Sequence, residues 1–226
     1  MISKEKINLI KKIINIFEMG TENIIYDSIY IYSDGPGNKR QLTISFGITE
    51  YGNLKDFITK YVALKSLYSG DFAPYISKIG KTALVDNSDF KNLLKKAARE
   101  DPAYRDLIEV FFDLKYLNPA LKFAEVNKFE TPLGILILVD SYIHSGSILS
   151  FLRNRFPEKV PAAGGSEKSW ATAYIKTRRS WLANHSNKIL RNTVYRCDFF
   201  LDLIRREDWP LNEREYLVHG TKLKIC

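Results

Sequence analysis

The chain is poor in the residues that carry metal, redox and nucleophilic chemistry. It holds two cysteines, Cys197 and Cys226, too few for a disulfide framework and without metal-ligand spacing. Cys197 is expected as a small core residue on a helix. The histidines, His144, His185 and His219, are scattered and form no HExxH pair, so neither a metal site nor a cofactor is expected. No serine or cysteine stands in a nucleophile-elbow context. The run Asp34-Gly35-Pro36-Gly37-Asn38 lacks the spaced acids and terminal glutamate of a calcium loop. It also lacks the lysine and helix of a phosphate-binding loop.

Long hydrophobic runs are missing too. None reaches the ~18–20 residues needed to cross a bilayer, so no membrane partner is expected. The start, MISKEKINLIKKI, mixes lysines with isoleucines and has no small-residue cleavage site. It reads as an amphipathic helix rather than a signal peptide. A mature form numbered from an added Met1, export by another route, and retention inside the cell all stay open. The formal charge of +8 suits anionic partners. Yet the lysines and arginines are spread along helices with no nucleic-acid motif, which points to a solvated surface and no nucleic-acid partner.

What is present is a large core and a helical pattern. A hydrophobic content of 45% supplies one large domain or two lobes sharing a hinge. Ile7, Ile10, Ile13, Ile14 and Phe17 recur at helical spacing, with Ser3 as the cap and Gly20 as the stop, predicting a helix over 4–19. Residues 24–33 alternate, and so do 41–46, around the turn Ser33 to Asn38. This predicts a β-hairpin with one polar face, Asp34 near its tip and Thr43 on the returning strand. Asn53 is placed to cap the next helix, with Asp56 in its first turn.

Helices then follow one another. One starts at Asp86 or Ser88 and runs through Arg99; another follows the Asp101-Pro102 cap through Tyr116. Pro119 and Pro132 mark breaks. Residues 132–145 form the most hydrophobic helix, interrupted by Asp140, which needs a cationic partner because an unpaired buried charge costs several kcal/mol. A short helix follows Gly146, and 157–165 is expected as a flexible loop. Ser166 caps a helix with Trp170, Tyr174 and Trp181 beside Arg178 and Arg179. A last long helix over 188–206 carries Arg191 and Arg196. Arg178 and Arg191 are the expected clamp on Asp140.

Two acids stand out as candidates for chemistry. Glu18 sits in the last turn of the first helix, where the negative dipole end and apolar neighbours Phe17 and Met19 disfavour an ionised carboxylate. That suits a general acid. Its alternative role is a surface glutamate at a helix end, and Asp34 could equally be a turn former. Two carboxylates on separate rigid elements are what hydrolysis of a glycosidic bond requires.

Together these residues resemble glycoside hydrolase family 46, the chitosanases, over about residues 5 to 220. The likeness rests on Glu18 closing the first helix, the Asp34-Gly35-Pro36-Gly37 turn, and Thr43 beyond it. It rests also on Val139-Asp140-Ser141-Tyr142-Ile143-His144-Ser145-Gly146, on Pro161 to Glu167, and on Arg178 and Arg191. The resemblance implies an α+β, mainly helical, two-lobed lysozyme-like fold with a cleft. It would be one catalytic domain with a minor lobe over about 20–100 and a major lobe from 1–19 and 101–226. It implies an inverting endo-hydrolase of chitosan, with Glu18 as acid, Asp34 activating a water, and Thr43 helping to hold that water. The carboxyl groups of an inverting pair stand roughly 6.5–9.5 Å apart. Asp140, Arg178 and Arg191 would orient the acid, while Asn53, Glu50 and Tyr32 would face the substrate.

Two departures accompany the likeness. The loop between Asp34 and Thr43 is longer than in the best-known chitosanases, leaving Glu50 as the alternative base. Asn53 stands where those enzymes carry an aspartate that grips a glucosamine ammonium. Peptidoglycan is therefore an alternative substrate, and an inactive carbohydrate-binding relative an alternative reading. The protein is expected as a monomer acting on a polysaccharide, and the family suggests a secreted enzyme.

Overall fold

The computed structural model describes residues 2–225; Cys226, and with it any pairing of that cysteine, lies outside them. In chain order the elements are α1 (Lys4–Met19), β1 (Ile29–Tyr32), β2 (Gln41–Ile44), β3 (Ile48–Thr49), α2 (Leu54–Ala63), α3 (Ser69–Phe72) and α4 (Ser88–Glu100). Then come α5 (Pro102–Phe112), a π-helical turn (Asp113–Leu117), α6 (Asn118–Asn127), α7 (Pro132–Ser145) and α8 (Ser150–Arg153). The chain closes with α9 (Glu167–Ala183), α10 (Lys188–Arg191), α11 (Val194–Arg205), β4 (Glu215–Val218) and β5 (Thr221–Lys224). The fold is mostly helical with a small antiparallel sheet, as the α+β expectation required. The chain divides into two compact units, one of residues 24–114 and one of the remainder. The second boundary falls between Leu114 and Lys115 rather than near residue 100.

The larger unit is built around α7. Thr131 caps it, its hydroxyl accepting from the Gly134 amide, Pro132 holds the first position, and Gly146 at φ 74° ends it. Every residue from Leu133 to Ser141 is buried, as a helix without a polar face must be. It packs against α1, α6, α9 and α11. On α1 the Ser3 hydroxyl accepts from the Lys6 amide and Gly20, at φ 75°, donates back to the Ile16 carbonyl. The buried stripe Leu9, Ile10, Ile13, Ile14, Phe17 lies between these caps.

The loop before α9 is not slack. Gly165 donates to the Val160 carbonyl, and the Arg153 guanidinium donates to the carbonyls of Phe156 and Glu158. A Cβ at Gly165 would strike the Lys159 carbonyl, so the second glycine of the pair serves close backbone approach. The expected long helix over 188–206 is broken at Asn192–Thr193 into α10 and α11. A terminal hairpin, β4–β5, turns through His219 (φ 46°) and Gly220 (φ 84°).

The smaller unit pairs β1, β2 and β3 antiparallel in that order, with Tyr32 opposite Gln41 and Tyr30 opposite Thr43. The predicted strand over 24–33 shortens to Ile29–Tyr32. The predicted polar face of the returning strand is absent: β2 is the central strand and all four of its residues are buried. A cluster of edge-on rings, Phe57, Tyr61, Phe72, Phe90, Tyr104 and Phe111, forms the helical core of this unit. Asp101 caps α5 by accepting from the Ala103 amide and also accepts from the Tyr61 hydroxyl and the Leu67 amide.

Candidate active site

In the larger unit the acid expected from sequence stands at the end of a chain of buried charges. Glu18 lies in the last turn of α1 with its side chain 29% exposed. The Arg196 guanidinium donates to its Oε1 at 2.8 Å and, through Nε, to Asp140 Oδ1 at 2.8 Å. Arg178 donates to the other oxygen, Asp140 Oδ2, at 2.6 Å. Asp140 and Arg178 are fully buried and Arg196 is 3% exposed. Burial alone would push Asp140 toward its neutral form, but the charges of Arg196 and Arg178 outweigh it and hold the carboxyl at about 2. Asp140 is therefore ionised between its two arginines, and Arg196 is the link that reaches the partly exposed Glu18.

This corrects the expected clamp. Arg191 lies on α10 and spends its guanidinium on the carbonyls of His185 and Ser186; the second arginine on Asp140 is Arg196. The signal was in the sequence, because Phe199, Phe200 and Leu203 lie three, four and seven residues after Arg196, and all are buried. Helical periodicity run back from them reaches Arg196 and misses Arg191.

The surroundings fix the arginine's geometry. Arg196 lies over the Phe17 ring, 4.8 Å from its centroid, and Tyr195 donates to the Phe17 carbonyl at 3.0 Å. The Tyr195 ring stacks on His219 of the terminal hairpin, centroids 3.7 Å apart. Beneath Asp140, Ser141 accepts from Tyr174 at 3.0 Å. His144 contacts Thr193 Oγ1 at 3.0 Å through Nε2; burial, joined by the Arg178 and Arg196 charges, pushes it down to about 3. It is a neutral, part-buried imidazole.

In the smaller unit Asp34 is exposed in the bend after β1. Its Oδ1 accepts from Gln41 Nε2 at 2.8 Å. Thr43 is buried, and its hydroxyl has no hydrogen-bond partner and makes no bond to Asp34. Tyr32 is exposed on β1, its ring stacked on Tyr30.

Glu50 is corrected outright. It is 1% exposed, with Oε1 accepting from the Leu84 amide at 2.5 Å and Oε2 from the Leu42 amide at 3.3 Å. A carboxylate so enclosed braces a loop against the sheet; it neither meets a substrate nor serves as the alternative base. Asn53 makes no side-chain cap on α2; its Oδ1 instead accepts from the Thr49 amide at 3.1 Å. Among the described residues no group of three His, Cys, Asp or Glu could hold a metal ion.

Comparison with known proteins gives the family and the fold. The chain is 23% identical over 228 residues to a chitosanase of Bacillus subtilis (strain 168), covering 93% of this chain and 81% of that protein. Its fold is similar to that of the Gynuella sunshinyii GH46 chitosanase in complex with chitotetraose, with a TM-score of 0.83 at 19% identity over 100% of this chain and 99% of that one. It is likewise similar to native chitosanase from Bacillus subtilis MY002, with a TM-score of 0.81 at 20% identity over 100% of both chains. The sequence model of glycosyl hydrolase family 46 matches residues 12–213. The chain belongs to glycosyl hydrolase family 46.

Proposed function

We propose that the protein is an endo-acting glycoside hydrolase of the chitosanase type, cleaving β-1,4 bonds of chitosan with inversion. The observation that carries this is the Arg178–Asp140–Arg196 chain ending on the carboxylate of Glu18. Such a chain has one free end, and a guanidinium fixed from behind holds one carboxylate oxygen while the other stays available to the glycosidic oxygen. In this reading Glu18 gives its proton to the leaving oxygen as the bond breaks. Asp34 removes a proton from the water that attacks the anomeric carbon from the opposite face. Each turnover ends with Glu18 ionised and Asp34 protonated, and exchange with solvent resets both. Tyr32 and Asn53 are the proposed substrate contacts, and the protein is proposed to act as a monomer on polymer outside the cell.

One observation favours a second substrate. The Thr49 amide occupies the Asn53 carbonyl oxygen, so the group Asn53 has left to offer is an N–H donor. A donor suits an N-acetyl carbonyl or hydroxyl better than an ammonium, which keeps partly acetylated chitin oligomers and peptidoglycan in view.

The test is hydrolysis of glucosamine hexamer followed by proton NMR, beside zymograms on chitosan and on cell-wall sacculi. We expect dimers and trimers of inverted anomeric configuration, and a loss of about 10²–10⁴-fold in kcat for Glu18→Gln. Unaltered turnover in Glu18→Gln would remove the acid assignment. Clearing only of sacculi would transfer the activity to peptidoglycan.

A further inference from the structure

We infer that Gln41 is the residue that positions the general base, Asp34. The inference rests on the reading of Asp34 as the base.

Gln41 opens β2 and is 6% exposed. Both ends of its amide are engaged: Oε1 accepts from the Tyr51 amide at 3.3 Å, and Nε2 donates to Asp34 Oδ1 at 2.8 Å. The first of these fixes the second. A backbone N–H can only donate, so the carbonyl end of the side chain must face Tyr51 and the NH2 end must face Asp34. The orientation of the amide is thus decided by chemistry.

The bend that carries Asp34 is held on its other side as well. Gly35 donates to the Lys39 carbonyl at 3.0 Å. A Cβ at Gly35 would stand 2.8 Å from that carbonyl oxygen and 2.9 Å from the Tyr51 ring. Tyr51 therefore supports the bend twice, by its ring against Gly35 and by its amide through Gln41. Asp34 is exposed while Gln41 is buried, so the carboxylate is gripped by one oxygen from the protein side. Oδ2 is left to meet water. A base held by one oxygen has a fixed direction of attack, which is what an in-line displacement by water needs.

Thr43 lies two residues further along β2, on the same face by strand parity, but its Oγ1 is enclosed. Gln41 is the earlier of the two positions on β2, nearer the bend, and its longer side chain ending in a donor reaches the carboxylate.

The experiment measures kcat and KM on glucosamine hexamer for wild type, Gln41→Met, Gln41→Glu, Asp34→Asn and the Asp34→Asn/Gln41→Met double variant. Circular dichroism and unfolding midpoints are recorded for each. Gln41→Met keeps length and burial but has no donor; Gln41→Glu keeps the acceptor for Tyr51 and loses the donor to Asp34. Each is expected to lower kcat 10- to 100-fold with KM within twofold. The double variant is expected to be no slower than Asp34→Asn, because a positioning residue has nothing to position once the base is gone. Wild-type kcat in both folded Gln41 variants, or a double variant whose loss is the product of the two single losses, overturns the inference. Wild-type kcat in Asp34→Asn would instead overturn the assignment of the base itself, a separable result.

Discussion

Asp140→Asn removes one charge from a site where it has no substitute. Arg178 is fully buried, its Nε and Nη2 have no hydrogen-bond partner, and its Nη1 reaches Asp140 at 2.6 Å. Arg196, 3% exposed, would keep Glu18 but lose the carboxylate that holds its Nε. Breaking a buried pair in this way costs about 3–5 kcal/mol, most of it the stranded guanidinium. A chain of this size loses roughly 2–4 °C of Tm per kcal/mol, so the drop should lie between about 6 and 20 °C in a thermal melt. The control is Asp198→Asn, which removes the partner of Arg179 on the surface, where both side chains are about half exposed. An exposed pair contributes ~0–1 kcal/mol. The two variants carry the same chemical change, one at a buried acid shared by two arginines and the other at an exposed acid paired with one. Equal Tm shifts for the two would refute the claim that Asp140 neutralises the interior, and unaltered kcat in Asp140→Asn would refute its part in holding Arg196 on Glu18.

Three further outcomes follow from the packing. His144 is held at about 3 against an ordinary 6.5 by burial and by Arg178 and Arg196, with Asp140 opposing; the unfolded chain therefore binds its proton first, and stability falls by up to about 1.4 kcal/mol per pH unit from 6.5 toward 3. In His144→Gln the unfolding free energy should flatten over that window, while loss through Asp140 begins only below its ordinary 3.8 and ends near 2; an unchanged slope in the variant speaks against the assignment. Glu50→Ala strands the amides of Leu42 and Leu84, costing about 1–3 kcal/mol each. Urea titration should show that loss with KM on the hexamer unmoved, and a raised KM would return Glu50 to the substrate. Gly165→Ala drives a methyl into the Lys159 carbonyl, an overpacking cost of about 1–3 kcal/mol. Gly146→Ala, in open space at φ 74°, should cost only about 1–2 kcal/mol, and the reverse order would contradict the packing described for the loop.

Helix ends were the most legible part of the sequence. Ser3, Asp101-Pro102, Thr131-Pro132 and Ser166 each carry a side-chain acceptor or a proline where a first turn needs one, and all four start helices. Those signals are local, so they survive without knowledge of the fold. The sheet was legible only in part. β3 is two residues long, too short for any period, and without it β2 reads as a half-exposed strand rather than a central one. The hairpin β4–β5 was not legible by alternation, because Leu217 is apolar yet exposed between the buried Tyr216 and Val218. At the site, Glu18, Asp140 and Arg178 could be assembled because each is a charge on an apolar helix. Arg196 was legible through the spacing of Phe199, Phe200 and Leu203 on its helix, whereas Gln41 was not, since selecting it needed the exact partner of an exposed bend, a matter of tertiary contact.

The carboxylate of Glu167 makes a clasp whose reach exceeds its own helix. It accepts from the amides of Glu130 and Thr131 and from the Thr131 hydroxyl, pinning the start of α7. A Cβ on Gly134 would collide with it. The two positions are thus bound to one another across the fold: as long as the acid at 167 is retained, the bare backbone at 134 must be retained with it. A larger residue at 134 would displace the clasp and let the first turn of α7 fray two turns from Asp140. A loss of stability can accordingly arise at a glycine that lies nearly two turns of helix away from the buried charges.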